Sequence, residues 1–319
     1  MNFLKTYLLL LFLSSANTIH AQPEATIQND SLKVTLHLPD TAKGYYRGSR
    51  FDWSGVISSL NYKGHEYFGV WFEKYSPTLH DAITGPVDAF APVGYDSAKT
   101  GERFLIIGAG TLIKPDEPRY FFANNYVFSN YGQWKIKIKK NAATFIHSLY
   151  DGDFRYQYTK TVSLLSHQPI LEINYELKNT SKKTIDTREY NHNFFTIDHE
   201  ITSQDLVIRF PYTLNGEVDN QADFGRLEDH KIVFTRPFTN NDHIQFRNLT
   251  GYGNTAKDYD IIIENQKTKA GVQIQGDQPL AKQAFWSAIK TVCPEPFIRI
   301  YLKPGQTMNW KLRYRFYEK

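Results

Sequence analysis

The sequence predicts an all-β chain folded as a large antiparallel β-sandwich, and three observations predict it. Apolar and polar residues alternate with period two in segment after segment, and no long window carries apolar residues at the 3.6 spacing of an amphipathic helix. The third is the aromatic share of 15%, from 22 Phe, 21 Tyr and 5 Trp, which suits strands and ring-stacking clefts better than long helices.

Taken in order, the chain opens with an address rather than structure. Residues 1–21 join a single cation, Lys5, to an apolar run from Tyr7 to Leu13 and then to small and polar residues ending at Ala21. That run is too short to span a bilayer, so it reads as a secretory signal peptide, with the mature protein expected outside the cytoplasm, secreted or periplasmic, and free of the membrane. The alternating segments follow: Leu32 to Leu38, Trp134 to Lys140, Phe154 to Val162, Ile170 to Leu177, Asp260 to Asn265 and Trp310 to Tyr317. In Trp134 to Lys140 the lysines share one face, as in an antiparallel strand with one side in water. Turn residues stand between strands at Tyr150-Asp151-Gly152-Asp153, Asn179-Thr180-Ser181, Asn240-Asn241-Asp242 and Pro304-Gly305. No Pro/Ser-rich linker, charge block or short repeat divides residues 22–319, so a single domain is expected there.

Composition narrows the function. With 37 Lys plus Arg against 33 Asp plus Glu, the charge of +4 is too balanced for a dedicated nucleic-acid binder. The one cysteine, Cys293, excludes an intrachain disulfide framework and reads as a small buried residue. There is no G-x-S-x-G, P-loop or H-E-x-x-H motif, and His192 and His199 stand seven apart without flanking Cys, so neither metal nor cofactor is expected. Three clusters remain: Gly44 to Gly55, dense in Arg, Gly and aromatics; Glu189 to Phe195, with polar residues inside an apolar strand; and Cys293-Pro294-Glu295-Pro296-Phe297, a carboxylate between two prolines.

The second and third clusters carry a resemblance. Tyr190-Asn191-His192-Asn193-Phe194-Phe195 resembles the N-H-x-[YF]-F segment of aldose 1-epimerases (galactose mutarotases) and hexose-6-phosphate epimerases. Val292-Cys293-Pro294-Glu295-Pro296, followed by a strand and the Pro304-Gly305 turn, is similar to their C-terminal segment. The order along the chain matches too, with an Arg-bearing segment early, the His central and the Glu late. The resemblance implies a large antiparallel sandwich, a carbohydrate partner (a monosaccharide or sugar terminus), and exchange of sugar anomers by ring opening. Glu295 is then the base and His192 the acid, placed on opposite sides of the sugar. It also implies Arg50, Asn191, His80, Asp277 and Trp286 as sugar ligands, Trp286 by stacking, with Arg47 a rival to Arg50. The sequence departs from the family pattern around His80 and from Gly85 to Phe104, which leaves the substrate open.

Plainer readings stand beside these. His192 alternates with Tyr190 and Phe194, so a hydrogen-bonded core histidine has the same pattern. Glu295 could cap loop backbone, and Arg47 and Arg50 could pair with surface acids. A non-catalytic carbohydrate-binding protein, or a polysaccharide lyase or hydrolase, would use the same sandwich. For the leader, the intact mass of protein recovered from its host should lack residues near 1–21; a mass that retains Met1 or Lys5 would overturn the export reading.

Overall fold

The computed structural model describes residues 22–218, 223–239 and 241–319, so the leader expected over residues 1–21 lies outside the described residues. Every strand pairing is antiparallel, and two single-turn 3-10 helices are the only helical elements among the described residues. None of these is long and apolar enough to cross a membrane.

Two sheets dominate. The ten-stranded sheet runs, edge to edge, through Gly225–Glu228, Lys231–Phe234, Leu206–Arg209, Asp260–Asn265, Ala270–Gly276, Thr307–Glu318, Ile170–Asn179, Phe154–Leu164, Ala142–Asp151 and Gln133–Lys139. The six-stranded sheet runs through Asn215–Val218, His243–Thr250, Lys282–Ala288, Thr291–Leu302, Ile185–His192 and Val87–Phe90. A four-stranded sheet begins at Glu24–Gln28, and a three-stranded one spans Arg103–Ile106, Gly110–Ile113 and Phe128–Asn130. The alternating segments of the sequence all fall on strands. Trp134 to Lys140 lies in the edge strand Gln133–Lys139, where Lys135, Lys137 and Lys139 are exposed and discourage pairing with another chain.

Two apolar clusters fill the molecule. The larger contains Ile27, Phe145, Ile173, Phe285 and Phe316 and draws on both large sheets. The second, rich in aromatics, covers the other face of the six-stranded sheet and includes Tyr46, Phe51, Trp53, Val87, Phe194 and Cys293. This second cluster is where much of the aromatic excess is spent.

A charged knot is buried in the interior. Lys160, on Phe154–Leu164, places its Nζ 2.7 Å from Asp88 Oδ2 and 3.6 Å from Asp52 Oδ2, and donates to the Ser54 carbonyl at 3.0 Å. Tyr175 donates to Asp88 at 2.8 Å and Tyr158 to Asp52 at 3.2 Å. Burial raises the Asp52 carboxyl to about 6, and burial followed by Asp88 pushes Glu189 well above the usual carboxylate range. Removing one partner from such a knot leaves buried charge uncompensated. Lys160→Met should therefore lower stability by about 3–5 kcal/mol at neutral pH, read from urea unfolding. An unchanged midpoint would show that the knot does not hold the sheets together.

Candidate active site

The strand Ile185–His192 sorts its side chains by pleat. Thr187, Glu189 and Asn191 point to the interior between the sheets, whereas Arg188, Tyr190 and His192 point to the aromatic-covered outer face. On the neighbouring strand, Cys293, Glu295 and Phe297 share that outer face, because Phe297 pairs with Tyr190. The next strand adds Lys282 opposite Phe297, Ala284 opposite Glu295 and Trp286 opposite Cys293. Glu295 and His192 thus become cross-strand neighbours, with Glu295 Oε1 3.2 Å from His192 Nε2.

Local backbone secures the pair. Pro294 and Pro296 fix φ on both sides of Glu295, and Asn193 Nδ2 donates to the Pro294 carbonyl at 2.8 Å. Past His192 the chain turns sharply. Phe194 takes φ of 22° and stacks on the imidazole at 3.8 Å and 8°. A positive φ is costly for an aromatic residue and persists only where the surroundings impose it. Gly85 lies against this turn, where a Cβ would sit 2.9 Å from the His192 carbonyl oxygen.

Covering segments complete the site. Arg50 reaches in from the 44–55 segment with its guanidinium 4.5 Å from the centre of the Phe51 ring and 4.3 Å from that of Phe122. It donates to the Tyr190 hydroxyl at 3.2 Å, and its Nε is buried without a hydrogen-bond partner among the described residues. Trp286 lies edge-on to His192 at 6.1 Å and to Trp71 at 5.3 Å. A cavity of about 220 Å³ opens over the pair's strand neighbours, lined by Arg50, Phe122, Tyr190, Lys282 and Phe297 among others; His192 and Glu295 are not among its lining residues. The pair itself is nearly sealed, its side chains 4% and 11% exposed.

The electrostatics follow from that sealing. Burial, and then Arg50, holds the His192 imidazolium well below its ordinary range, so the ring rests neutral. Burial raises the Glu295 carboxyl to about 7, against the opposing pull of Arg50 and Lys282. Near neutrality the pair therefore carries at most one proton, and burial prefers it on the carboxyl. His192 Nδ1 is buried without a partner among the described residues.

The residues singled out from sequence divide. Arg50, His192, Trp286 and Glu295 come together. Arg47 remains outside, bonded to the Thr41 carbonyl at 3.4 Å. His80 reaches only the rim, stacking on Phe122 at 5.8 Å with its Nδ1 3.1 Å from Asp81. Asn191 faces the opposite way, because adjacent strand residues point to opposite faces. It donates to Asp88 at 2.7 Å and accepts from Tyr314 at 2.6 Å, which places it in the interior network and away from any sugar. Asp277 lies exposed in the turn after Ala270–Gly276 on the other large sheet, where its carboxylate accepts the Lys311 backbone N–H at 3.0 Å. His192 and Glu295, which the resemblance implies on opposite sides of a sugar, are set by adjacent strands on one face of the sheet, in contact with each other. Sequence reasoning missed Lys282, Arg188, Tyr120 and Phe122. Lys282 shares parity with Trp286, and Arg188 with His192, so alternation pointed to both; Tyr120 and Phe122 lie in a segment without periodicity.

The fold is that of the galactose mutarotase-like sandwiches, and many solved structures of aldose 1-epimerase or mutarotase-like proteins share it. A galactose mutarotase related enzyme from Lactobacillus acidophilus superposes with a TM-score of 0.55 at 14% identity, over 92% of this chain and 97% of that one. An aldose epimerase homologue from C. elegans gives 0.53 at 14%, over 93% and 99%. A galactose mutarotase-like protein from Clostridium acetobutylicum gives 0.55 at 13%, over 93% and 95%. Neither a protein-family profile nor a curated sequence matches the chain.

The buried carboxyl has a consequence for stability. Its pKa is raised on folding from 4.5 to about 7, so it is neutral in both states at low pH and must be buried ionised above neutrality. Its contribution to stability is therefore lost as pH rises through that window. Glu295→Gln should raise the unfolding free energy at pH 8, by up to about 3 kcal/mol, and give no gain at pH 4.5. Parallel stability curves for the two proteins would refute the raised pKa.

Proposed function

We propose that the chain is an isomerase of the aldose 1-epimerase type, interconverting the anomers of a free sugar. The observation that carries this reading is the contact between the Glu295 carboxyl and the His192 imidazole beside an aromatic-lined cavity. The anomeric hydroxyl and the ring oxygen are bonded to the same carbon, so two groups on one side of the ring can serve both. Glu295 takes the proton of the anomeric hydroxyl as His192 gives one to the ring oxygen. The bond from the anomeric carbon to the ring oxygen breaks, leaving an open-chain aldehyde. Rotation about the C1–C2 bond and reclosure on the other face return both protons. No electron is gained or lost. The likeness of fold to aldose epimerase proteins supports the reading, as does the size of the cavity, which suits one sugar unit better than the long open groove a polysaccharide lyase requires. The near-closure of the pair implies that an entering ring displaces the Arg50–Tyr190 contact.

Proton inventory sets the pH dependence. The reaction needs one proton on the pair: the proton sits on the imidazole when the carboxylate acts as base. Above about 7 the free pair holds none, because the imidazole pKa lies lower still. Since kcat/KM reports the free enzyme, it should fall as pH rises above about 7. Exchange NMR or polarimetry on freshly dissolved aldoses measures it. Glu295→Gln and His192→Asn should each lower the rate by about 10²–10⁴-fold while leaving a folded protein. If wild type never exceeds the spontaneous rate with any free sugar, the isomerase reading fails. A profile that rises through neutrality would instead make the carboxylate act without the imidazole.

A further inference from the structure

A second cavity, of about 920 Å³, opens where strand ends of both large sheets meet the three-stranded sheet. Three stretches build it: the Asp151-Gly152-Asp153 turn between Ala142–Asp151 and Phe154–Leu164, the 181–184 turn before Ile185–His192, and the 101–105 stretch that begins the three-stranded sheet. The segment 91–94 divides it from the smaller cavity, since Ala91 and Pro92 line the smaller one and Val93 and Gly94 the larger. That partition is fixed to the strand beside it. The Thr187 hydroxyl donates to the Ala91 carbonyl at 2.7 Å, and the Ala91 N–H to the Arg188 carbonyl at 2.8 Å. Neither His192, Glu295, Arg50 nor Trp286 lines the larger cavity.

Its charges cancel. Glu102, Asp151 and Asp153 line it together with Arg103, Arg155 and Lys183, three carboxylates against three cations. Each is held in place. Asp151 accepts from Arg103 through one oxygen and from the Thr111 hydroxyl through the other, and its side chain is only 10% exposed. Lys183 meets Asp153 at 2.8 Å, and Glu102 accepts the Lys99 N–H at 2.8 Å. Arg155 donates from Nε to the Gly152 carbonyl at 2.8 Å, with its guanidinium 4.0 Å from the centre of the Tyr150 ring. Leu105, Ile113, Phe154 and Ile185 supply apolar lining beside these charges. Gly94 leaves the Phe154 ring uncovered. It takes φ of 83°, and a Cβ there would stand 3.2 Å from the ring.

These features restrict the ligand. Balanced charges set up no net field to draw a polyanion. A hydroxyl donates and accepts at once, so it bridges a paired carboxylate and cation without breaking the pair. The apolar lining asks for C–H faces between those hydroxyls. A peptide added as a strand needs unpaired backbone, and here the backbone is engaged. Val93 and Leu105 exchange both bonds at 2.8 and 3.0 Å, Gly101 donates to the Lys114 carbonyl at 2.9 Å, and Thr180 to the Arg155 carbonyl at 3.2 Å. The volume lies near the upper end of small-ligand cavities, roughly 300–1,000 Å³, and exceeds what one sugar unit fills. We infer that this cavity is a second ligand site, taking a neutral oligosaccharide with one ring against Phe154 and its hydroxyls between the ion pairs. Donors and acceptors already fixed by one another lose little freedom on binding, which favours affinity. The site holds a glycan and stands independently of the isomerase reading.

The test is titration calorimetry of the whole protein with maltotriose, cellotriose, mannotriose and xylotriose, set against D-glucose and trigalacturonate. At least one neutral trisaccharide should bind about tenfold more tightly than glucose, and its affinity should hold from low salt to about 0.5 M. Ser129→Trp, which fills the cavity from an exposed position on Phe128–Asn130, should lower that affinity about tenfold or more. Lys183→Gln should weaken binding without moving Tm, because an exposed pair adds little to folding. Phe297→Ala, in the smaller cavity, should leave trisaccharide binding unchanged. The proposal is overturned if no neutral trisaccharide binds more tightly than glucose, or if Ser129→Trp keeps full affinity. An equal loss in Phe297→Ala, or a salt-sensitive preference for trigalacturonate, would overturn it as well. Because the readout is binding away from His192 and Glu295, its failure leaves the isomerase reading standing, and absence of anomer exchange leaves this site standing.

Discussion

The ammonium of Lys160 is the point on which the geometry of the site depends. It belongs to the ten-stranded sheet, yet it bonds to Asp88 on the edge strand of the other large sheet and lies within ion-pair distance of Asp52 in the covering segment. Asp88 lies on the strand that pairs with Ile185–His192, and Asn191 donates to the same carboxylate. Asp52 and Ser54 lie in the same 44–55 covering segment that carries Arg50 and Phe51. One buried charge therefore ties together the sheet that supports the pair, the strand that carries His192 and the segment that brings the guanidinium. Inside a low-dielectric interior such a knot tolerates little displacement, since every half-made bond there is expensive.

The same knot decides which neighbour does what on the central strand. Asn191 is bound inward, so His192 must face outward, and Glu189 inward requires Tyr190 outward. The pleat turns a short polar run into two separate devices, an interior clasp and an exterior site. The exterior device is built against stability. It buries a carboxyl whose ionised form is disfavoured, an imidazole with an orphaned nitrogen and a phenylalanine at positive φ. Local conflicts of this kind, gathered in one place, are the usual mark of a functional site.

This explains how much was legible in the sequence. Strand positions were, because period two needs only neighbours along the chain. The all-β architecture followed from them. Glu295 and His192 were legible as residue types in short motifs, but their contact was not, because it depends on the register between strands a hundred residues apart in sequence. Asn191 could have been excluded by parity alone: two adjacent strand residues cannot both face one cleft. Asp277 failed for another reason, since nothing in an Asp-Gln-Pro turn reveals which sheet it joins. Lys282 and Arg188 were hidden because an exposed cation at an alternating position is the commonest pattern a strand has. Only the row that each occupies separates them from Lys135 or Lys139.

Arg50 links the two halves of the outer face. It stands between the His192–Glu295 pair and the Tyr190–Phe297 stack, bonded to Tyr190 and acting electrostatically on both members of the pair. Its charge favours the ionised carboxylate and disfavours the imidazolium. For a pair holding a single proton these effects oppose each other, because moving that proton from Glu295 to His192 creates both charges at once. The guanidinium thus biases the number of protons on the pair more than their placement. Placement is governed by burial, which penalises each charge separately and favours the uncharged arrangement. A polar ring entering beside the pair would relieve that penalty by offering hydroxyls to both groups, so that the reactive arrangement becomes accessible when the site is filled. Below about 7 burial thus keeps the carboxyl protonated and the imidazole neutral.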